Sequence, residues 1–404
     1  MRLEVQGAVV GGHVIARSRD GVFFVSGAIP GEIVEVEETG RRKGARWAAV
    51  RSVIRPSADR VAARCSVFGT CGGCHFQFIG HARQVAMKQE ALVDCLRRIG
   101  GIDMSLDPPL AGRAWEYRKR ARLKVGPGGE IGFYGARTHE VIRFEQCHLL
   151  SPELSAFIAR AGGAGPALEG AELLVQSGED PRVIVACVRG RPADRRAAEG
   201  RLKEAGASGV FFPGRRPEDA PRTLLKAGRI DYHVSAGTFF QANWELNTGL
   251  VDLIAGCAGR IEPDAVIDLF AGAGNFSLAA ARAAKRVVAV EESPMACRDG
   301  ARNAALAGLR NVVFVESRVG DFDIPRKAGL LILDPPRGGL SGGLVKKILG
   351  AAPGVIVYVS CNPSTFARDA GDLSGRYALR SVRLVDMFPQ TCHMEVLGIM
   401  EPRG

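Results

Sequence analysis

Ala265-Val266-Ile267-Asp268-Leu269-Phe270-Ala271-Gly272-Ala273-Gly274-Asn275-Phe276 reads as a strand, a glycine turn and the first residues of a helix. Gly272 and Gly274 allow a sharp turn and let a ligand come close to backbone N–H groups at a helix N-terminus. Outward from this stretch, apolar runs recur at Arg286–Val290, Asn311–Val315, Leu330–Leu333 and Val355–Val359, separated by Ala- and Leu-rich segments. Nearly continuous apolar strands alternating with helices predict an α/β domain over 233–404, with a doubly wound, largely parallel sheet buried on both faces. Ligand crevices in such sheets lie beyond the carboxyl ends of the strands, so the residues after each strand are the place to look for chemistry.

Four strand ends carry candidates. The first leads into the glycine turn. The second ends at Glu291, 19 residues after Gly272, where a carboxylate can accept both hydroxyls of a ribose. The fourth ends in Asp334-Pro335-Pro336-Arg337, an acid held by two rigid prolines. An acid before the glycines and another before two prolines favour S-adenosylmethionine over a dinucleotide, the blander alternative being an ordinary Rossmann turn with a capping Asp. After the fifth strand, Ser360-Cys361-Asn362-Pro363 puts a thiol in the crevice, a poor location for a packing cysteine and a good one for a nucleophile. Phe388-Pro389-Gln390-Thr391-Cys392-His393-Met394-Glu395 links the last two strands, and Glu395 is a candidate general base. A thiol, a carboxylate and a methyl donor together suit methylation at C5 of uracil. That carbon becomes nucleophilic only after a thiolate adds at C6, and a base must then remove the C5 proton. The base must be flipped out or lie in a loop, and Thr238-Phe239-Phe240-Gln241-Ala242-Asn243 offers aromatics and an amide to receive it.

Upstream, residues 1–56 alternate short β-rich runs with glycine turns, which predicts a small OB-like barrel. The basic run Arg41, Arg42, Lys43, Arg46 is either a solvated hairpin tip or a phosphate-contacting loop. Residues 57–232 read as a mixed α+β domain with a helix over 81–99, which could pack on the catalytic domain, and a loop or linker in the Gly- and Ala-rich stretch 161–171. Tyr117-Arg118-Lys119-Arg120-Ala121-Arg122-Leu123-Lys124 is expected to show basic residues on both faces of a strand, which precludes burial and favours RNA contact. Cys65, Cys71, Cys74 and the distant Cys147 suit a four-thiolate metal site with the metal left open. The other five cysteines, Cys95, Cys187, Cys257, Cys297 and Cys392, are expected to pack. Lys and Arg total 54 against 43 Asp and Glu, a net charge of +11, and all but ten of the 54 are arginines, which suit bidentate phosphate contacts. The chain shows no membrane-length apolar run and no secretion signal, so a cytoplasmic protein is expected; a monomer is expected as well.

The segments 239–243, 268–276, 334–337, 360–363 and 388–395 together resemble the RNA uracil-5 methyltransferase family, most closely its ribosomal RNA enzymes, across nearly the whole chain. The resemblance implies Cys361 as nucleophile and Glu395 as base. It implies Gln241, Phe270, Gly272, Asn275, Glu291 and Asp334 as S-adenosylmethionine contacts, with Phe239 near the flipped uridine. The first sixty residues look like the RNA-binding TRAM domain, with Pro30-Gly31-Glu32 before a strand, which favours the phosphate reading of the Arg41 loop. The four cysteines are similar to the family's [4Fe–4S] ligands. Asp334-Pro335-Pro336-Arg337 departs from the usual Asp-Pro-Ala-Arg but keeps the acid. The adenine-contacting position falls near Arg318 and is not assigned. The implied partner is RNA, 23S ribosomal RNA first and tRNA as the alternative. A non-catalytic RNA-binding iron–sulfur protein, a cytosine-5 methyltransferase and a redox protein are the rival readings.

Overall fold

The computed structural model describes residues 1–42 and 44–403. Strands β1 (Arg2–Val9), β2 (His13–Ser18), β3 (Gly21–Ser26), β4 (Ile33–Arg42) and β5 (Ala45–Arg55) close into a barrel in the order β1-β2-β3-β5-β4. Alternate residues, among them Val5, Val14, Phe23, Val25 and Val34, fill its interior, as the period of two requires. At the rim, the fully buried Glu32 carboxylate receives the Ile29 amide at 2.9 Å, the Ser57 amide at 3.0 Å and Arg60 Nε at 2.7 Å. The charge of the Pro30-Gly31-Glu32 segment therefore serves the barrel's own closure.

The chain continues through α1 (His81–Arg98), β6 (Asp107–Leu110), β7 (Arg120–Val125), β8 (Ile131–Tyr134), β9 (Val141–Arg143), α2 (Pro152–Ala161), α3 (Gly165–Leu168), β10 (Ala171–Ser177), β11 (Ile184–Gly190), α4 (Arg195–Glu204) and β12 (Gly209–Phe211). Six of these strands form a sheet ordered β12-β11-β10-β7-β8-β9. Two expectations are corrected here. Strand β7 lies inside this sheet with Ala121 and Leu123 fully buried, so its basic residues share one face only. Arg120, Arg122 and Lys124 alternate with small and apolar residues, while Arg118 and Lys119 precede the strand. The stretch 161–171 is not a loose linker: it forms a 3₁₀ turn, α3 and the start of β10, with Ala164 and Leu168 buried. Its glycines permit close approach, since a Cβ on Gly165 would stand 1.7 Å from the Gly129 carbonyl.

The remainder comprises the hairpin β13 (Arg222–Ala227) and β14 (Ile230–Ser235), then α5 (Trp244–Ile261), β15 (Ala265–Leu269), α6 (Ser277–Ala280), β16 (Arg286–Glu291), α7 (Pro294–Leu306), β17 (Val312–Glu316), β18 (Leu330–Leu333), α8 (Gly342–Ala351), β19 (Val355–Ser360), α9 (Pro363–Leu373), β20 (Tyr377–Val385) and β21 (Glu395–Pro402). They build an eight-stranded sheet, β17-β16-β15-β18-β19-β21-β20-β6. The five apolar runs are its parallel strands β15 to β19, and β21 joins antiparallel to β19. Successive side chains feed opposite faces. Leu331 and Leu333 join one core with Ile356 and Tyr358, while Leu330 and Ile332 join the other with Val357 and Val359. Each such fully buried aliphatic side chain contributes about 1.5–3 kcal/mol. Leu92 and Leu96 of α1 belong to the first of these cores, and β13–β14 supplies Leu225, Tyr232 and Val234 to the second.

Helix starts are set by side-chain caps. Ser293 accepts from the Ala296 amide, and Asn362 accepts from the Ser364 amide with Pro363 at the first helical position. The second cap stops β19 at Ser360 and leaves Cys361 between strand and helix.

Candidate active site

The glycine turn after β15 places three groups. Phe270 holds a left-handed backbone at φ 67°, and the Ala271 amide bonds back to the Val290 carbonyl, so the turn bends over the end of β16. Gly272, at φ +55°, has open space where a Cβ would point, whereas a Cβ on Gly274 would strike Phe314 at 2.9 Å. One glycine faces the crevice and the other allows close packing. Glu291 accepts from the Gly272 amide at 3.0 Å and from the Ser293 amide at 2.8 Å, which fixes its carboxylate while leaving further lone pairs free. Beneath the turn, Asp268 is fully buried and accepts from Ser277 Oγ on one oxygen, the other having no partner. Burial, then the charges of Asp334 and Glu291, push its carboxyl up to about 7.

Asp334 directly follows β18, with Gln241 Nε2 3.5 Å from its Oδ2. Burial raises its carboxyl well above the usual range. Glu395, at the start of β21, is buried and its carboxyl is raised well above the ordinary carboxylate range, by desolvation first and the charge of Asp334 second, with Arg337 opposing. Cys361 is half-buried. Burial and then the charges of Glu395 and Asp334 push its thiol up to about 11, against the pull of Arg337. Asn362 Nδ2 donates to the Arg337 carbonyl at 3.0 Å, tying the cysteine turn to the Asp-Pro-Pro-Arg turn.

One cavity of about 1470 Å³ collects these groups: Gln241, Phe270, Gly272, Glu291, Asp334, Cys361 and Glu395 all line it, with Phe239 at its edge. Two polar atoms on its wall, Thr238 Oγ1 and Glu395 Oε2, are buried without a partner, which suits a polar ligand. With Glu291 for hydroxyls, the open Gly272 turn and the Asp334–Gln241 pair, the donor set fits S-adenosylmethionine. Asn275 is the exception: its amide forms a reciprocal pair with Asn247 at 2.8 and 2.9 Å, and it does not line the cavity.

Residues 222–403 match the family model described as tRNA (Uracil-5-)-methyltransferase. The chain is 32% identical to the 23S rRNA (uracil(1939)-C(5))-methyltransferase RlmD of Alkalilimnicola ehrlichii, over 96% of this chain and 94% of that protein. It is 34% identical to RlmD of Bordetella parapertussis, over 95% of this chain and 89% of that protein. The chain belongs to the RNA (uracil-5-)-methyltransferase family. The Pyrococcus abyssi tRNA (uracil-54, C5)-methyltransferase, solved with S-adenosyl-L-homocysteine, shares the fold with a TM-score of 0.76 at 20% identity, covering 99% of this chain and 100% of that one.

In this uracil-5-methyltransferase family member the expected RNA-contacting residues behave differently from one another. Phe239 is 59% exposed, and the Arg120 guanidinium lies 5.0 Å from its ring. Burial and then the neighbouring Arg118, Arg122 and Arg189 depress Arg120 to about 10, and its Nε has no partner. Lys119 is engaged internally, donating to the Gly178 carbonyl at 2.9 Å and lying 3.6 Å from Glu153. Arg118 donates to the Arg120 carbonyl, and Arg122 pairs with Glu172 at 3.7 Å. Arg41 and Arg42 are exposed, but Arg41 shares Glu38 with Arg46, and the two guanidiniums hold that carboxyl down at about 2. Lys43 lies outside the described residues.

Cys65, Cys71, Cys74 and Cys147 line one small cavity with Arg118, Gln77 and Phe133. Burial pushes the Cys74 thiol up to about 12 and raises Cys71 and Cys147, and each feels the charge of others in the set. The Gly73 amide donates to Cys71 Sγ at 3.4 Å. Among the described residues no three His, Cys, Asp or Glu side chains gather to hold a single metal ion. Of the cysteines expected only to pack, Cys187 also reaches the catalytic cavity.

The sequence left Arg318 unassigned and did not single out Arg337, His393 or Arg189, yet all four lie on the cavity wall. Three had a signal: Arg318 follows a strand end, and Arg337 and His393 sit inside singled-out motifs. Arg189 arrives from the six-stranded sheet, and nothing local marks it. No helix among the described residues is long and apolar enough to cross a membrane.

Proposed function

We propose that this protein methylates C5 of a uridine in 23S ribosomal RNA, at the position equivalent to the one named for its ribosomal relatives. The single cavity shared by Cys361, Glu395, Asp334 and Glu291 carries this reading. S-adenosylmethionine, when bound, supplies the methyl group. Glu291 and the Gly272 turn would take its ribose end, and Asp334 with Gln241 its amino-acid end or the uracil edge. The deprotonated Cys361 sulfur adds to C6, and the electron pair released makes C5 nucleophilic. Once C5 carries the methyl group, Glu395 takes the C5 proton and the C5–H electrons restore the double bond as the C6–S bond breaks. Phe239 and Arg120 would hold the extruded nucleotide by stacking and charge.

The four cysteines are read as a [4Fe–4S] site. In such a cluster each thiolate binds a different iron, and the four cysteines lining one small cavity supply the four thiolates it needs, whereas one zinc ion needs its donors about 2.0–2.3 Å from one centre. The Gly73 amide aimed at Cys71 Sγ is the kind of contact that supports a thiolate.

Incubating the purified protein and its Cys361→Ala variant with S-adenosylmethionine and either ribosomal RNA or tRNA, followed by nucleoside analysis, tests the activity. The expected product is 5-methyluridine in 23S RNA from the unsubstituted protein alone. Methylation of tRNA instead would reassign the substrate, and product from Cys361→Ala would remove the nucleophile.

A further inference from the structure

Glu395 and Val385 are register partners in β21 and β20, and residues 386–394 form the strap that joins the two strands. Inside the strap and at its junction with β20, the Met387 amide donates to the Val385 carbonyl, the Thr391 amide and hydroxyl donate to the Phe388 carbonyl, and the His393 amide donates to Thr391 Oγ1. Four consecutive strap carbonyls accept hydrogen bonds from outside it: Met387 from Asn243 Nδ2 at 3.3 Å, Phe388 from Lys88 Nζ at 3.0 Å, Pro389 from Tyr117 Oη at 3.0 Å, and Gln390 from the His75 and Phe76 amides at 2.9 and 3.0 Å. The first strap residue, Asp386, is fully buried and bonded to Lys88 Nζ at 2.5 Å and His81 Nε2 at 2.8 Å. Gln390 sits in the left-handed region at φ 67°, unusual for a residue with a Cβ. Gln84 clamps it there, accepting from its amide at 2.8 Å and donating to its side-chain oxygen at 3.0 Å. A residue stays in such a conformation only where its surroundings over-determine it.

We infer that Lys88 and Gln84 are positioning residues for proton removal by Glu395, with α1 and the adjoining cysteine loop setting the strap from outside. This inference rests on the proposed methyl transfer through Cys361. A buried Lys–Asp pair adds little stability over an apolar pair, because desolvation offsets the attraction, but it fixes one geometry. The strap segment anchored by that pair begins one residue beyond the strand partner of Glu395. Among the described residues neither Lys88 nor Asp386 hydrogen-bonds Gln241, Glu291, Asp334 or Phe239, so loosening the strap should disturb the base more than the binding of either substrate.

The test uses Lys88→Met and Gln390→Gly in the full chain, beside Glu395→Gln. Lys88→Met removes the charged anchor. Gln390→Gly releases the Gln84 side-chain bond while suiting the left-handed backbone, so it keeps the fold if Lys88→Met does not. The readouts are S-adenosylhomocysteine affinity by calorimetry, kcat and KM on RNA, and RNA–protein adduct on denaturing gels. The expected result is a kcat loss of roughly a hundredfold, the scale of a 1 Å misplacement, with KM and ligand affinity nearly unchanged and methylated adduct accumulating as it does for Glu395→Gln. Unchanged kcat, or a loss without adduct while Glu395→Gln does accumulate it, overturns the positioning role. If neither Glu395→Gln nor the unsubstituted protein forms adduct or product, the underlying reading of the reaction fails instead.

Discussion

Cys361 and Glu395 are the residues that follow directly beyond Ser360 and Val396, the last register pair between antiparallel strands β19 and β21. The next step of that ladder would set nucleophile and base opposite one another. The two residues of the proposed reaction, one for attack at C6 and one for proton removal at C5, thus sit at the adjoining ends of two paired strands. Asp334 closes the same site from β18, the strand on the other side of β19.

Replacing Glu395 by Gln keeps the shape and removes the base. Turnover should fall by about 10²–10⁴, the usual contribution of general-base catalysis, while addition of Cys361 proceeds. A methylated RNA adduct at Cys361, located by mass spectrometry, is the expected product. Full turnover without adduct would exclude Glu395 from proton removal.

The pH profile follows from the raised thiol. With Cys361 near 11, its thiolate is scarce at pH 7 and grows about tenfold for each pH unit below that value. The rate of adduct formation on RNA carrying 5-fluorouridine should therefore rise steeply from pH 7 to 9. Arg337 opposes the upward shift, so Arg337→Ala should slow the reaction at a given pH. A flat profile would mean that ligand binding already supplies the thiolate.

Glu291 is held by two backbone amides before any ligand arrives. Glu291→Ala removes a charged acceptor worth about 1.5–3 kcal/mol. Calorimetry should show S-adenosylmethionine binding weakened by at least tenfold, with RNA affinity unaltered in filter binding.

Phe239 should show the converse behaviour. Its exposed ring stacks with Arg120 and lies at the cavity edge. Phe239→Ala should raise KM for RNA by the equivalent of about 1–3 kcal/mol, the cost of losing one base-stacking contact. S-adenosylmethionine affinity should not move.

Anaerobic purification should yield about four irons per chain with broad visible absorbance, and Cys74→Ser should lose both. Stoichiometric zinc in place of iron would reject the cluster. Since the cysteine loop bonds the strap at Gln390, the same variant should also lower the thermal unfolding temperature.

Much of the catalytic sheet was legible because parallel strands buried on both faces need continuous apolar runs, and the runs from 265 to 359 have no other economical reading. The strand-end rule then located Glu291, Asp334 and Cys361. Where the reading went wrong, pattern had been separated from partner. Arg120, Arg122 and Lys124 alternate correctly for a half-buried strand, yet the added Arg118 and Lys119 disguised that period. The glycines of 161–171 signal close contact with Gly129, which a chain read in one dimension cannot distinguish from flexibility. Asn275 belongs to the glycine-turn motif, but its amide is taken by Asn247 of α5.

Local sequence alone therefore marked the strands of the sheet, the glycine turn at the end of the first, and the proposed nucleophile and base, because each of these is a short motif at a strand end. Tertiary structure alone decided how those groups meet: β21 beside β19, Lys88 against Asp386 across 298 residues, and Arg189 brought in from another sheet. Pairing and burial over such separations are chosen by the global packing of apolar faces, and no local period records which partner is chosen.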